Sequence, residues 1–206
     1  MNHIPIHVGG RDVPDALDRI RRYCGLTWSG GSPETWAYRY FDLVPSELPD
    51  EVTSVDVLAA AALHPGLSRS DLAFFVDRAD DLTDWLRSVP VDAELQFADS
   101  DLLAHLDALL GLDGVSITLS SKVLHRKRPS LIPLLDRHII DWYRPVTGER
   151  SATLAWAPII RAMQQDLVGD VNGSLTRIAD ALRPELASPP PAVRLIDIAI
   201  WMGSQR

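Results

Sequence analysis

Helix caps and helical hydrophobic periodicity recur along nearly all of the 206 residues, and this pattern constrains the fold more than any other feature of the sequence. Apolar residues spaced three or four apart follow Ser, Thr or Asp residues that can cap a helix. Asp56 lies three residues after Thr53 and completes a capping box. The pattern predicts helices at 13–24, 54–63, 70–88, 100–111, 117–127, 137–143, 152–167, 174–182 and 193–202. The predicted fold class is all-α, with at least six helices and negligible sheet.

Composition predicts a globular protein without a cysteine-built site. Hydrophobic residues make up 46% of the sequence and charged residues 23%, which suffices for a sizeable core. The single cysteine, Cys24, excludes an intramolecular disulfide and any iron–sulfur or zinc site built on several cysteines. The longest apolar run, Val57–Leu63, is too short to span a bilayer. We therefore expect a cytoplasmic protein with no membrane association. Because the sequence has no recognisable metal-binding or cofactor-binding motif, we also expect no metal and no cofactor.

The charged residues are distributed unevenly along the chain. The formal net charge is −8, but residues 1–113 hold 8 basic and 20 acidic side chains, whereas residues 114–206 hold 12 basic and 8 acidic ones. An acidic protein is a poor general coat for nucleic acid, because nonspecific binding depends on neutralising phosphates. A local basic patch remains compatible with this total.

The segment from Gly25 to Asp50 is rich in glycine, proline and aromatic residues and is expected to form an ordered loop. Alternation of Trp36, Tyr38 and Tyr40 permits a short strand there. Two interpretations of its aromatic residues stay open. The rings fill the interface between two helical lobes, or Trp28, Trp36 and Tyr38 form a pocket on which a nucleic-acid base stacks.

Residues 112–118, with the sequence LDGVSIT, have the pattern of a turn between two helices. Gly114 allows a tight turn, and the amides of Val115 and the residues after it open the next helix. Free amides at a helix N-terminus can bind a phosphate oxygen. The same pattern also joins helices in proteins that bind no ligand there.

The sequence LDGV at 112–115, followed by IPLLD at 132–136, resembles the core of the helix-hairpin-helix (HhH-GPD) DNA glycosylase superfamily, and especially its adenine glycosylases. The resemblance covers about 35 residues. Residues 122–129, the early YCG and the closing LIDIAIWM are similar to an uncharacterised actinobacterial family assigned to that superfamily. The resemblance implies a two-lobed helical fold in which Gly114, Val115 and Ser116 hold a DNA phosphate. It also implies that Asp136 stabilises an oxocarbenium-like sugar or activates water.

Two positions depart from the superfamily pattern. Ser116 stands where the second hairpin glycine is usual, and its Cβ hinders close approach by a phosphate. Thr118 falls where bifunctional members place a Schiff-base lysine, so β-lyase chemistry is not expected unless Lys122, one helical turn on, reaches the site. The resemblance therefore implies a monofunctional enzyme, with Thr118 close to the DNA.

Asp136 is open to a second interpretation, because it directly precedes a predicted helix at 137–143. A carboxylate in that position commonly caps the helix without any catalytic meaning. The two roles are compatible, since a capping carboxylate is held rigidly.

The chain has one dense basic cluster, which also has two interpretations. Its side chains either contact DNA phosphates or form ion pairs with the acidic N-terminal half. The cluster consists of Lys122, Arg126, Lys127 and Arg128.

Together these features predict a single domain over 1–206, with lobes near 1–99 and 100–206 and no clean boundary between them. The leading functional hypothesis is a DNA-binding protein that excises a base as a monofunctional N-glycosylase. The alternatives are a non-catalytic module that binds a protein partner on the same fold, and a hydrolase of small N-glycosides. Fold alone does not decide among them.

Overall fold

The computed structural model describes residues 3–31, 34, 36–63, 66–148, 156–169 and 171–205. These residues form eleven α-helices, one short 3₁₀ helix and one two-stranded sheet, so the predicted, largely helical fold class is confirmed. Tertiary contacts divide the chain into unit 1, residues 1–38 and 136–206, and unit 2, residues 39–135. This division falls after residues 38 and 135 rather than near residue 100, because the two ends of the chain pack together. No helix in these described ranges has the length and apolar composition needed to cross a membrane.

Unit 1 is built around its last helix. Its elements are β1 (Ile6–Val8), β2 (Arg11–Val13), α1 (Ala16–Tyr23), α8 (Arg137–Thr147), α9 (Trp156–Val168), α10 (Val171–Leu182) and α11 (Ala192–Met202). Every residue from 193 to 200 is buried, and α11 contacts α1, α8, α9 and α10. A helix that is buried on all sides is stable only inside such a bundle, and α11 buries its two charged residues, Arg194 and Asp197, as well. The predicted segment 152–155 lies outside the described residues.

The small sheet was not predicted. Strands β1 and β2 are antiparallel, with Ile6 opposite Val13, and the two glycines between them have φ of +58° and +70°. Paired glycines with positive φ are typical of a tight hairpin, and this Gly-Gly signal could have revealed it. The hairpin is anchored in unit 1 because Asp166 accepts a hydrogen bond from the Gly9 amide at 2.8 Å, and the Trp142 indole donates to the Val8 carbonyl at 2.8 Å.

Unit 2 contains most of the shorter helices. They are α3 (Ser54–Ala61), α4 (Arg69–Asp77), α5 (Ala79–Ser88), α6 (Ser100–Leu110) and α7 (Ile117–His125), preceded by the four-residue α2 (Tyr38–Phe41) at the boundary with unit 1. The capping box predicted at Thr53 is confirmed. The short strand allowed at 36–40 is wrong, because Tyr38 begins a helical turn instead.

The helix predicted at 70–88 is two helices, because the chain breaks at Arg78. Ser68, rather than Ser70, caps α4, because its side chain forms a second capping box with Asp71. After the break the apolar face turns, so Leu82 and Leu86 are buried whereas Leu72 and Val76 are exposed. The helix predicted at 100–111 is α6, and Asp99 is its N-cap, since its carboxylate accepts a hydrogen bond from the Leu102 amide at 2.8 Å.

Asp56 is a fully buried anion that lies between two cations of unit 2. Its Oδ1 accepts a hydrogen bond from Arg126 Nε at 3.0 Å, and its Oδ2 lies 2.5 Å from Lys127 Nζ. Burial alone would raise the pKa of Asp56, but the hydrogen bonds from Lys127 and Thr53 outweigh it and hold the pKa below its ordinary value. The carboxylate therefore stays ionised inside the protein.

The remaining donors of the same two cations hold the loop 41–50. Arg126 donates to the carbonyls of Phe41, Val44 and Pro45, and Lys127 donates to the Leu48 carbonyl. Carbonyl groups outside regular structure need partners of this kind when they are withdrawn from water. Arg126 and Lys127 therefore replace secondary structure as the support of this loop.

Arg128 and Lys122 cap the ends of neighbouring helices. The fully buried Arg128 donates to the carbonyls of Leu86 and Val89 at the end of α5 and pairs with Asp50 at 2.8 Å. Lys122 Nζ donates to the Leu63 carbonyl just after α3, at 2.9 Å. Cations are favourable at helix C-termini because unpaired carbonyls concentrate there.

These contacts correct the prediction that the basic cluster of Lys122, Arg126, Lys127 and Arg128 binds DNA phosphates. The exposed fraction of the Arg126 side chain is 4%, and the other three residues are buried. A side chain whose donors are used inside the unit cannot reach a phosphate outside it. The cluster is not a solvated ion-paired face either, since its main partners are buried carbonyls and Asp56.

We expect Asp56→Asn to lower the free energy of unfolding by roughly 3–5 kcal/mol at neutral pH, because it leaves two buried cations without their anion. A folded-state pKa below the unfolded value makes this stabilisation complete above the unfolded pKa, and it is lost as pH falls through the folded pKa. Denaturant unfolding of both proteins at a series of pH values should therefore show the difference shrinking toward acid.

Asp84→Asn is the matched control, because this carboxylate is 82% exposed and lies 3.9 Å from its cation, Arg87. Exposed pairs contribute little, so its stability should follow the wild type at every pH. A difference between wild type and Asp56→Asn that does not change with pH would contradict the ion-pair account.

Candidate functional site

A turn joins α6 to α7 where the sequence predicts one. Gly111 ends α6, and Gly114 has φ of +102°, a backbone conformation that side chains with a Cβ rarely adopt. A Cβ at this position would also lie 3.3 Å from Cδ2 of the Phe74 ring on α4. Asp113, Gly114 and Ser116 are exposed, so the predicted turn at 113–116 is confirmed and lies at the surface.

Ser116 is the N-cap of α7. Its hydroxyl accepts a hydrogen bond from the Leu119 amide at 3.3 Å, and its backbone is extended, with φ of −69° and ψ of 139°. Serine is favoured at an N-cap, so this departure from the glycine pattern has a local structural reason. The Ser116 side chain caps the Leu119 amide and not the first-turn amides of Ile117 and Thr118, and free amides in this position favour an anion.

One polar stripe of α7 fixes the segment that precedes Asp136. Thr118 Oγ1 donates to the Leu135 carbonyl at 3.1 Å, and Ser121 Oγ accepts from the Leu135 amide at 3.1 Å. One turn further on, His125 Nδ1 donates to the Ile132 carbonyl at 2.6 Å. The three side chains are spaced 118, 121 and 125, which places them on one helix face. Sequence analysis missed this stripe, although its helical spacing was visible.

Asp136 is the N-cap of α8, as one of its two interpretations predicts. Its Oδ1 accepts hydrogen bonds from the amides of His138 at 2.9 Å and Ile139 at 3.1 Å. The residue is half-buried, and both cap bonds fall on the same oxygen. The cap therefore leaves Oδ2 for other interactions, and the catalytic role of Asp136 stays a prediction.

Arg137 and His138 are exposed residues that directly follow Asp136, and sequence analysis did not select them. The exposed fraction of the Arg137 side chain is 91%, and its Nε lies 3.6 Å from Asp141 Oδ2, a weak surface pair. The sequence feature that could have identified Arg137 is its position at the N-terminus of the helix that Asp136 caps. With the predicted basic cluster buried, Arg137 is an accessible cation next to the candidate carboxylate.

The three aromatic residues predicted to stack a base are engaged within unit 1. Tyr38 is buried and meets the Tyr23 ring edge-on at 5.9 Å, so it cannot stack on a base. Trp28 and Trp36 are half-buried, and the Arg22 guanidinium carbon lies 5.3 and 5.1 Å from their ring centroids. Arg22 also binds Glu34 and lowers its pKa. These rings therefore pack with α1 and are not arranged as a free platform.

Neither of two cavities in unit 1 is lined by Asp136. One, of about 470 Å³, lies beside β1, α9 and α10 and contains His7, Asp12 and Asp166. The other, of about 310 Å³, is lined partly by Arg22 and Trp28. Among the described residues, no group of three or more His, Cys, Asp or Glu side chains is arranged to hold a metal ion.

The surface of unit 2 is strongly acidic. Unit 2 has eight Lys and Arg residues and sixteen Asp and Glu residues, so it carries the whole formal net charge of −8. Four of the eight cations are held inside the unit, Arg126 and Lys127 by Asp56 and Lys122 and Arg128 mainly by backbone carbonyls, whereas Asp56 is the single buried carboxylate among the sixteen. The α6–α7 hairpin therefore lies on a unit whose surface repels polyanions.

Comparison with known proteins identifies one family. The profile of a family of unknown function, DUF6308, matches residues 16–204. Neither the curated proteins nor the solved structures contain a match to the chain. The matched range includes the α6–α7 hairpin and Asp136.

We expect Gly114→Ala to lower the free energy of unfolding by about 1–3 kcal/mol, because alanine is strained at this φ and its methyl group would press on Phe74. Gly173→Ala is the matched control. Gly173 lies in α10 with open space around it, so alanine there should raise stability by about 0.5–1 kcal/mol through helix propensity. Thermal and denaturant unfolding of the two variants checks both signs. Equal effects would show that the turn does not require glycine.

Proposed function

We propose that this chain, which belongs to the DUF6308 family of unknown function, binds a nucleic-acid phosphate at the α6–α7 hairpin and hydrolyses an N-glycosidic bond with Asp136. The observation that carries the proposal is the hydrogen bond from Thr118 Oγ1 to the Leu135 carbonyl. It fixes the first turn of α7 to the residue that immediately precedes Asp136. The resemblance assigns phosphate binding to the α6–α7 turn and catalysis to Asp136, and the hydrogen bond joins that turn to the chain neighbour of Asp136.

The hairpin would bind phosphate through backbone amides rather than cations. The amides of Ile117 and Thr118 lie in the first turn of α7, where the helix dipole adds partial positive charge. Gly114 keeps the turn compact beside Phe74. The Cβ of Ser116 limits how closely a phosphate can approach, so this contact is expected to be weaker than in a turn with two glycines.

Asp136 supplies a carboxylate whose position is fixed by its own helix. With Oδ1 used by the α8 cap, Oδ2 would stabilise positive charge that develops on the sugar as the bond to the base breaks. Water would add to the anomeric carbon, the base would leave with the bonding electron pair, and a proton from water would neutralise the base. No redox step or added reactant is required.

The proposed reaction does not use an imine intermediate. Thr118 has no amine, and Lys122, the nearest alternative, is buried with Nζ bound to the Leu63 carbonyl. The proposed reaction therefore ends at base release, without cleavage of a DNA strand.

A second candidate function, hydrolysis of a small N-glycoside, is favoured by the charge of unit 2. With Lys122, Arg126, Lys127 and Arg128 inside the unit, its surface offers little cationic area for a polyanion. A free nucleoside or nucleotide needs only the carboxylate and at most one phosphate contact. Arg137 would provide that contact in either substrate class.

We expect the wild-type chain to release bases and Asp136→Asn to release none, while the two proteins unfold within about 1 kcal/mol of each other because asparagine caps helices as well as aspartate does. The assay measures free base from a panel of DNA duplexes with damaged or mispaired bases, with alkali added to cleave abasic sites. A parallel arm measures free base from nucleosides and nucleotides.

Arg137→Ala should raise KM with little change in kcat, because a phosphate contact of this type binds the ground state and the transition state alike. The control is Arg183→Ala, an arginine that is 68% exposed at the end of α10 and pairs with Asp180.

In the base-release assay, release from duplexes favours the DNA substrate, and release only from nucleosides favours the small N-glycoside. No release by a folded wild type in either arm would overturn both and leave the non-catalytic module.

A further inference from the structure

We infer that the outer face of α3 is a docking surface for a cationic amphipathic helix of a partner protein. This face, called here the α3 stripe, consists of Val55, Leu58 and Ala62. Their spacing of three and four residues places them on one side of the helix. The inference is independent of the proposed reaction and concerns a different part of unit 2.

The α3 helix is apolar on both faces. Its inner face buries Val57, Ala59, Ala60 and the ion-paired Asp56, which is the helix's only charged residue. On the outer face Leu58 is 66% exposed and Val55 is 47% exposed. A helix with apolar residues on all sides is normally buried. The exposed α3 stripe therefore indicates a surface that another molecule covers.

A loop that is hydrogen-bonded to α3 exposes further apolar side chains. Leu43 and Leu48 are exposed on the loop 41–50, and they flank Ser46, whose hydroxyl donates to Asp56 of α3 at 3.0 Å. The loop is held by Arg126 and Lys127 as well, so its geometry is fixed before any partner arrives. A preformed apolar surface binds with a smaller entropic cost than a flexible one.

The charges around this surface select the class of partner. Glu47 and Glu51 are exposed and form no ion pair among the described residues, and unit 2 as a whole carries the −8 charge. A second copy of the chain is disfavoured, because a twofold interface would place this acidic rim against itself. An amphipathic helix with Leu-like residues on one face and Lys or Arg at its flanks complements both the stripe and the rim.

The test uses a fluorescein-labelled Leu/Lys peptide of about 18 residues, or five helical turns, with its leucines on one face. Two comparison peptides are used, a Leu/Glu peptide with the same leucine positions and a Leu/Lys peptide with scrambled order. Fluorescence anisotropy with the full chain measures Kd at low and high salt. We expect binding of the ordered Leu/Lys peptide and no binding of either comparison peptide.

The double variant V55S/L58S should weaken binding by at least about tenfold, because the partner can no longer bury two aliphatic side chains. The control V146S/V168S changes two exposed valines of unit 1 and should leave Kd unchanged. Replacing Glu47 and Glu51 by glutamine should weaken binding at low salt and have little effect at high salt. All substituted residues are exposed, so thermal unfolding should show folded proteins.

Three results would overturn the inference. Equal Kd for wild type and V55S/L58S would mean that the peptide binds acidic surface in general. A wild-type dimer in analytical ultracentrifugation that V55S/L58S converts to a monomer would identify a second copy as the occupant. Sedimentation of the wild type, but not V55S/L58S, with phosphatidylcholine vesicles would identify a lipid surface instead.

Discussion

The buried carboxylate of Asp56 is the interaction on which unit 2 depends. One oxygen binds Arg126, the other binds Lys127, and the same carboxylate completes the N-cap of α3. Two cations could not remain buried without this anion, because an unpaired charge inside a protein costs several kcal/mol. Once held there, they support the loop 41–50 through its carbonyls, and that loop in turn shapes the surface beside α3.

Because these cations are buried, they are not available for binding at the surface of unit 2. The four positive charges that would suit phosphate contacts are bound to carbonyls and carboxylates inside unit 2, and the carboxylates of that unit other than Asp56 reach solvent. Any anion bound at the hairpin must therefore rely on backbone amides and on Arg137. The same acidic exterior, with exposed aliphatic residues on α3, is suited to a basic partner.

Much of the local structure could be predicted from neighbouring residues. The capping box at Thr53, the stop at Gly111, the turn at Gly114 and the cap at Asp136 all depend on hydrogen bonds or φ values within a few residues, which a sequence pattern records directly. A prediction also failed within a local segment when two neighbouring residues were both suitable as the helix cap. Ser68 and Ser70 both suit a cap, and only Ser68 has an acidic residue three positions on, at Asp71, to complete the box.

The sequence by itself determined the helical class, the position of the α6–α7 turn and the cap at Asp136, because each is governed by contacts or φ values within a few residues along the chain. Only the tertiary structure decided that the basic cluster lies inside, that Tyr38 is buried against Tyr23, and that the two ends of the chain form one unit. The partners of Arg126 lie 70 to 85 residues away along the chain, so no local pattern contains them. A run of lysine and arginine residues gives the same sequence pattern whether the side chains face water or bind buried carbonyls. Only folding brings those carbonyls close to the side chains.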